Sequence, residues 1–183
     1  MHSLQGHFLV ASPHLPDSNF YRTVVLMVQH DAQGALGLVL NRPTNTTVAQ
    51  LWESVSKEPC SCQRAVNHGG PVQGPLMALH TEPACADEVV LPGVFFASRE
   101  EYLRQIVRQS ELTFRLFVGY AGWAGGQLES ELEAGGWLTT PATPEDVFDE
   151  EPDLWRKIAS RIGLEILGGA VKTKHLPGDP SMN

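Results

Sequence analysis

The stretch Thr23-Val-Val-Leu-Met-Val-Gln-His-Asp-Ala-Gln-Gly-Ala-Leu-Gly-Leu-Val-Leu-Asn41 decides the fold. Two β-rich runs, Thr23 to Val28 and Ala35 to Leu40, flank the polar connection Gln29 to Gly34, which is the pattern of a hairpin. A strand with one wet face alternates apolar and polar residues. Here both arms are apolar at consecutive positions, so both are expected to be covered on two faces and to lie centrally in a sheet.

Working outward, a strand is expected over Leu4 to Val10, followed by a proline-marked turn through Pro13 to Asp17. On the other side, Pro43 is expected to end the strand. Thr46 and Thr47 can then cap a short helix carrying Val48, Leu51, Trp52 and Val55 at helical spacing. Lys57 to Asn67 reads as loop, and His68-Gly-Gly-Pro-Val72 as a forced turn. Short strands follow at Leu76 to Leu79, Val89 to Leu91 and Val94 to Ala97. Ser98-Arg-Glu-Glu101 has capping-box spacing ahead of a helix with the core stripe Tyr102, Leu103, Ile106 and Val107. Thr113 to Val118 alternates as a strand, and Gly119 to Gly126 reads as a glycine-rich loop. Gln127 to Glu133 reads as a two-turn helix closed by Gly135-Gly136, and Trp137 to Thr139 as a further strand. Thr143-Pro144 caps another short helix. Leu154, Trp155, Ile158, Ala159 and Ile162 mark the last one, with Gly163 at its expected C-terminal cap. Strands and helices are interspersed without repeat or linker, so the expectation is one α+β domain over residues 1–171 and a mobile tail over 172–183.

Composition narrows the class. The 183 residues are 42% hydrophobic and 19% charged, with a formal net charge of −8. This length suits one domain of roughly 100 to 200 residues, and the balance excludes disorder and coiled coil. The acidic balance disfavours a nucleic-acid or anionic-membrane surface. Residues 1–12 carry no Lys or Arg and their apolar run, Phe8 to Ala11, is short, so no secretory signal is read and a cytoplasmic location is expected. Cys60, Cys62 and Cys85 are an odd number in a spacing awkward for a disulfide, and reduced thiols are expected. A zinc set from Cys60, Cys62, His68, His80 and Cys85 lacks the usual paired spacing, and no metal or cofactor is expected.

The remaining constellations are weak as chemistry. Gly119-x-x-Gly122-x-x-Gly125-Gly126 is neither a dinucleotide nor a Walker loop, and Glu129, Glu131 and Glu133 on the following helix oppose an anion. Glu129 and Glu133 share a helix face and read as a solvated pair, with Glu131 directed elsewhere. His30-Asp31 at the hairpin connection and Asn41-Arg42 after its second arm would bring a ring, a carboxylate, an amide and a guanidinium toward nearby sheet ends. No Gly-x-Ser-x-Gly or cysteine-protease signature occurs. Arg99, Arg104 and Arg108 recur on one helix but are diluted by Glu100, Glu101 and Glu111, which disfavours direct DNA reading.

The ordered motifs resemble the AlgH/YqgE family of small bacterial proteins. The likeness runs through Gly6-His-Phe-Leu-Val-Ala11, Pro13, Leu15, Asp17, Phe20, Val24-Val25, His30, Gly34, Gly37 and Asn41-Arg-Pro43. It continues with Gly69-Gly-Pro-Val72 and Leu79-His80, then Gly119-Tyr-Ala-Gly-Trp123, Gly126-Gln-Leu-Glu129, Glu131, Trp137-Leu138, Pro141-Ala142 and Trp155. The resemblance implies an α+β domain whose bent, partly barrel-like, mainly antiparallel sheet is surrounded by helices. The family's common label, transcriptional regulator, implies a regulatory role without an established catalytic site. The Cys60-Ser-Cys62 segment departs from the family pattern. Positions that match the family's motifs, together with Arg42, form the candidate binding surface: His30, Asn41, Arg42, Gly69, Gly70, Pro71, His80, Trp123 and Gln127. The expected function is a non-enzymatic regulatory protein binding a small ligand or a protein partner. The alternatives are an enzyme using His30 as acid/base with Asn41 or Arg42 holding substrate, and an adaptor docking through an apolar patch.

Overall fold

The computed structural model describes residues 2–172 apart from positions 14 and 16. In chain order the strands are β1 (His7–Ala11), β2 (Val24–Asp31), β3 (Gly34–Val39), β4 (Pro43–Thr47), β5 (Ala65–His68), β6 (Met77–His80), β7 (Glu88–Leu91), β8 (Val94–Ala97), β9 (Phe114–Val118), β10 (Ala121–Ala124) and β11 (Trp137–Pro141). The helices are α1 (Val48–Ser56), α2 (Glu100–Arg108), α3 (Gln127–Glu133), α4 (Pro144–Val147) and α5 (Leu154–Lys172). Single 3-10 turns occupy Ser18–Phe20 and Pro83–Cys85.

The hairpin β2–β3 forms the middle of a five-stranded sheet ordered β10-β3-β2-β1-β11, antiparallel throughout. Alternate residues of its apolar runs enter different cores. Val24, Leu26, Val28, Leu38 and Leu40 face a second, six-stranded sheet ordered β4-β5-β9-β6-β8-β7, which supplies Met77, Leu79, Phe96 and Phe117 to the shared interior, with Leu154, Ile158 and Ile162 of α5. Val25, Met27 and Val39 face the opposite way, onto Phe20, Trp123, Leu128 and Trp137. The second sheet buries its outer face under α1 and α2, through Trp52, Leu103, Ile106, Phe114 and Leu116. The expected cover on both faces is therefore present, and it accounts for the consecutive apolar residues. The α+β class is also present, but as two stacked sheets, neither closed into a barrel. The six-stranded sheet is mixed, since β5 and β9 pair in parallel.

Several local expectations shift. Strand β3 ends at Val39, ahead of Pro43, and Pro43 itself begins β4, because an edge strand tolerates a residue without an N–H. Within the expected loop Lys57 to Asn67, Ala65–His68 is β5, whose Val66 and Asn67 are buried by β9. The glycine-rich segment is likewise a strand, β10, paired with Ala35 and Gly37 of β3. Thr47 caps α1, as the sequence suggests, and the structure adds a capping box with Gln50, although Val55 points to solvent at 59% exposure. Helix α5 continues through Gly163 to Lys172. The φ of Gly163 is not positive, so the residue sits within the helix and closes no cap. The expected tail, beyond this helix, lies outside the described residues, as do positions 14 and 16 of the expected turn.

No side chain caps α2, and a distant carboxylate holds the segment just ahead of it. Ser98 makes no capping box; Asp87 Oδ2 accepts from the N–H groups of Ser98 at 2.6 Å and Arg99 at 3.1 Å, while Oδ1 receives the Arg99 side chain. Burial works to raise the Asp87 carboxyl, but these donors outweigh it and hold it below the ordinary carboxylate range. A depressed folded value stabilises fully above the unfolded value of about 3.9, and the contribution disappears as pH falls through the folded one. Asp87→Ala is thus expected to cost about 1 kcal/mol near neutral pH and clearly less near pH 2, read by urea unfolding at both. An equal loss at both would show that the charge contributes nothing.

Candidate functional site

The candidate residues do not form one surface. His30 stands at the turn end of β2, whereas Asn41 lies beyond the far end of β3, next to Val24. Six residues of strand at ~3.3 Å each put them roughly 20 Å apart, so the expected meeting of His30, Asn41 and Arg42 does not occur. Each is also occupied. His30 is buried, and its Nδ1 accepts from Leu4 N–H at 3.0 Å; the ring proton is therefore on Nε2, which faces Glu129 Oε1 at 3.1 Å. Glu129 is in consequence a partner of His30 and not half of a solvated pair. Asn41 Oδ1 accepts from Val24 N–H at 2.9 Å and its Nδ2 donates to Arg22 O at 2.8 Å, while Arg42 donates to the carbonyls of Asn41 and Tyr21. These side chains stitch the strand ends.

Gly69 and Gly70 lie where the chain leaving β5 crosses the chain leaving β9. Gly69 N–H donates to Val118 O and its carbonyl accepts from Val39 N–H, both at 2.9 Å, tying the two sheets together. A Cβ on Gly70 would sit 2.2 Å from the Tyr120 carbonyl carbon. His80 is fully buried in β6, with Nδ1 accepting from Glu82 N–H at 3.2 Å and Nε2 without a hydrogen bond. Desolvation pushes its pKa below the ordinary value, against opposing pulls from Glu82 and Asp87, and keeps the ring neutral. It is remote from the other candidates in chemistry and serves the packing beside Phe95. The thiols of Cys60, Cys62 and Cys85 are free, and no group of three metal-ligating side chains converges among the described residues.

Pro71, Trp123 and Gln127 do meet. They line a cleft of about 340 Å³ with Leu15, Asp17, Phe20, Gly122, Glu131, Ala134 and Gly136. Its construction follows from short segments. Gly126, with φ of +79°, turns the chain from β10 into α3, and burial of Leu128 docks that helix on the sheet. Gln127 and Glu131 are then one helical turn apart on the same face. Glu131 Oε2 accepts from the indole N–H of Trp123 at 3.0 Å and of Trp137 at 2.8 Å, and Oε1 accepts from Gln127 Nε2 at 3.0 Å. Gln127 Oε1 is in turn fixed by Ala124 N–H at 3.1 Å. The rings pack as a unit: Phe20 stacks on Trp123 with centroids 6.1 Å apart and meets Trp137 edge-on at 5.3 Å, and the two indoles are edge-to-face at 6.0 Å. An apolar concavity with a few convergent polar groups is the usual form of a ligand site, and this volume is at its small end.

A second hollow of about 240 Å³ includes Asn41, Asn67 and Arg115 beside Asp149 to Glu151. Burial lowers the Arg115 pKa to about 10, with Glu150 and Asp149 pulling against it. Its guanidinium is consumed by the protein, donating to Val147 O at 2.9 Å, Asn67 Oδ1 at 2.8 Å and Leu40 O. Sequence reading did not single out Phe20, Glu131 or Trp137 as partners in a site. The available signal was a glutamate one turn after Gln127 and lying between two tryptophans in sequence, since an indole N–H buried near a carboxylate seeks it as acceptor.

With this geometry in hand, comparison with known proteins is consistent along the chain. The AlgH-like family profile matches residues 8–167. A UPF0301 protein of Chlorobaculum parvum is 37% identical over 183 aligned residues, covering 94% of each chain. The UPF0301 protein AlgH of Pseudomonas aeruginosa is 36% identical over 89% of this chain and 90% of its own. The solution structure of AlgH from Pseudomonas aeruginosa superposes with a TM-score of 0.75 at 34% identity over 95% of both chains. A crystal structure of a Corynebacterium diphtheriae protein gives 0.71 at 27% identity, over 88% of this chain and 87% of its own. The chain belongs to the AlgH-like family.

Proposed function

We propose that this protein is a non-enzymatic binding protein of the cytosol, which takes a small ligand or part of a protein partner into the Trp123–Glu131 cleft and acts on regulation through it. The observation that carries the reading is the aromatic cleft itself, where three of the candidate residues converge around a carboxylate fixed by three N–H donors. A carboxylate so tied is a rigid recognition element and a poor proton shuttle. The enzymatic alternative loses support because His30 is separated from Asn41 and Arg42, and each already has structural partners. Direct DNA reading is not part of the proposal: Arg99 is paired with Asp87 and Glu101, and Arg104 and Arg108 with Glu58.

Native mass spectrometry of the untagged protein, set against its denatured mass, tests the reading. The expected result is an added mass, or a captured partner, that is lost on denaturation and also lost in Ala134→Phe, which fills the cleft from an exposed position. An added mass retained by that variant would place binding elsewhere and overturn the assignment. A bare mass, with no compound shifting the Trp123 indole N–H signal, would overturn it as well.

A further inference from the structure

The cleft also has a sign of charge. All three donors to Glu131 are neutral, two indoles and one amide, so none of them brings a countercharge to the carboxylate. Asp17, an exposed residue of the same lining, accepts at its carboxylate from the N–H of Asn19 at 2.8 Å. Among the described residues neither carboxylate has an ion pair, and no Lys, Arg or His lines the cleft. Glu131 differs in this respect from several other carboxylates of the fold. Asp146 is held by Lys157 and Arg161, Asp87 by Arg99, and Glu58 by Arg104 and Arg108. Phe20 and Trp123 line the same cleft, and aromatic rings attract cations. A carboxylate offers about four acceptor directions, so three bonds leave Glu131 about one for a ligand N–H.

We infer that the ligand of this cleft is a small organic cation on an apolar body, an arylalkyl ammonium or guanidinium compound, with anions excluded. The inference rests on the binding reading above and adds its charge and size. The cation would be seated against the aromatic faces with its N–H directed at Glu131, and the apolar body would lie toward Leu15 and Pro71.

Three probes that share a phenyl ring but differ in charge separate the outcomes: 2-phenylethylamine, 2-phenylethanol and 3-phenylpropionate, each titrated into the full chain while the indole N–H signals are followed by NMR. The amine is expected to shift the Trp123 and Trp137 signals and to bind about tenfold or more tighter than the other two. Its affinity should weaken with added salt, and Asp17→Asn should weaken it roughly threefold. That variant keeps the acceptor for Asn19 and leaves the tryptophans untouched, so folding is not at issue. Equal binding of the three probes, or tighter binding of the acid, would overturn the charge assignment and leave the cleft as a neutral binding site. Shifts confined to signals outside the cleft would overturn the site. No shift with any probe at millimolar concentration would overturn both this inference and the reading on which it rests.

Discussion

Gly70→Ala is expected to leave little folded protein. The added Cβ would lie 2.2 Å from the Tyr120 carbonyl carbon, 2.3 Å from Ala121 N and 2.4 Å from Tyr120 O, and all three are backbone atoms that no rotamer change can move. The crossing is tight from both sides, because a Cβ on Gly119, itself at φ of +72°, would lie 2.6 Å from Gly70 O. Relief would require separating the two crossing segments and would break the paired hydrogen bonds between Val72 and Tyr120, each 3.0 Å. The expected loss is at least about 4 kcal/mol, a large part of the stability of an ordinary domain. Gly126→Ala is the control. Its φ of +79° carries backbone strain, but nothing lies within 4 Å of the new atom, so the cost should stay near 1 kcal/mol. Urea denaturation of the pair measures the difference, and similar midpoints would refute the steric reading of the crossing.

Arg115→Met is expected to destabilise by about 3 kcal/mol or more. The guanidinium is enclosed, and its fork satisfies acceptors from three parts of the fold: Leu40 O after β3, Asn67 Oδ1 in β5 and Val147 O at the end of α4. Methionine matches the stem but leaves these acceptors without a donor, at about 1 to 3 kcal/mol for each that stays dry. Arg115→Lys should recover only part of the loss, because a point charge cannot serve diverging acceptors in one plane. For a domain of this size the Met variant should melt roughly 6 to 12 °C lower. A shift of about 2 °C or less would mean that water replaces the guanidinium and that the three elements do not depend on it.

The fold was legible where burial acts on both sides of a strand. In β2 and β3 consecutive apolar residues announce two cores, and Thr47 with Gln50, Thr143 and Gly135 mark helix ends by local chemistry. It was not legible where a distant group substitutes for a local one. Ser98-Arg-Glu-Glu101 has the spacing of a capping box, yet α2 has no side-chain cap, and Asp87, from the segment before β7, takes the N–H groups of Ser98 and Arg99 instead. Strand β10 was hidden because its glycines look like a loop, and only β3, with Gly34 and Gly37, shows why small residues suit it: a Cβ on Gly34 would meet Trp123 O at 2.4 Å. Of the candidate surface, the resemblance drew attention to the right segments but not to their grouping. Pro71, Trp123 and Gln127 share a cleft, whereas Gly69, Gly70, Asn41 and His80 answer crossing, strand-end and packing problems. Which of these a motif position serves is set by tertiary contact and leaves no local trace.

The pairing of β1 with β11 bears on how the protein comes to be folded. His7 is matched with Pro141 and Ala11 with Trp137, so the strand made first finds its outer neighbour only after most of the domain has been synthesised. Until then the hairpin β2–β3 can form and β1 can join it, but the far edge of β1, with Phe8, Leu9 and Val10, stays open to any passing strand. Contacts so distant along the chain slow folding, since the closure entropy is lost before the contact is gained. The nascent chain therefore passes through an interval in which a buried, apolar strand has an unpaired edge, and during translation this interval is one of exposure to aggregation and to chaperone capture.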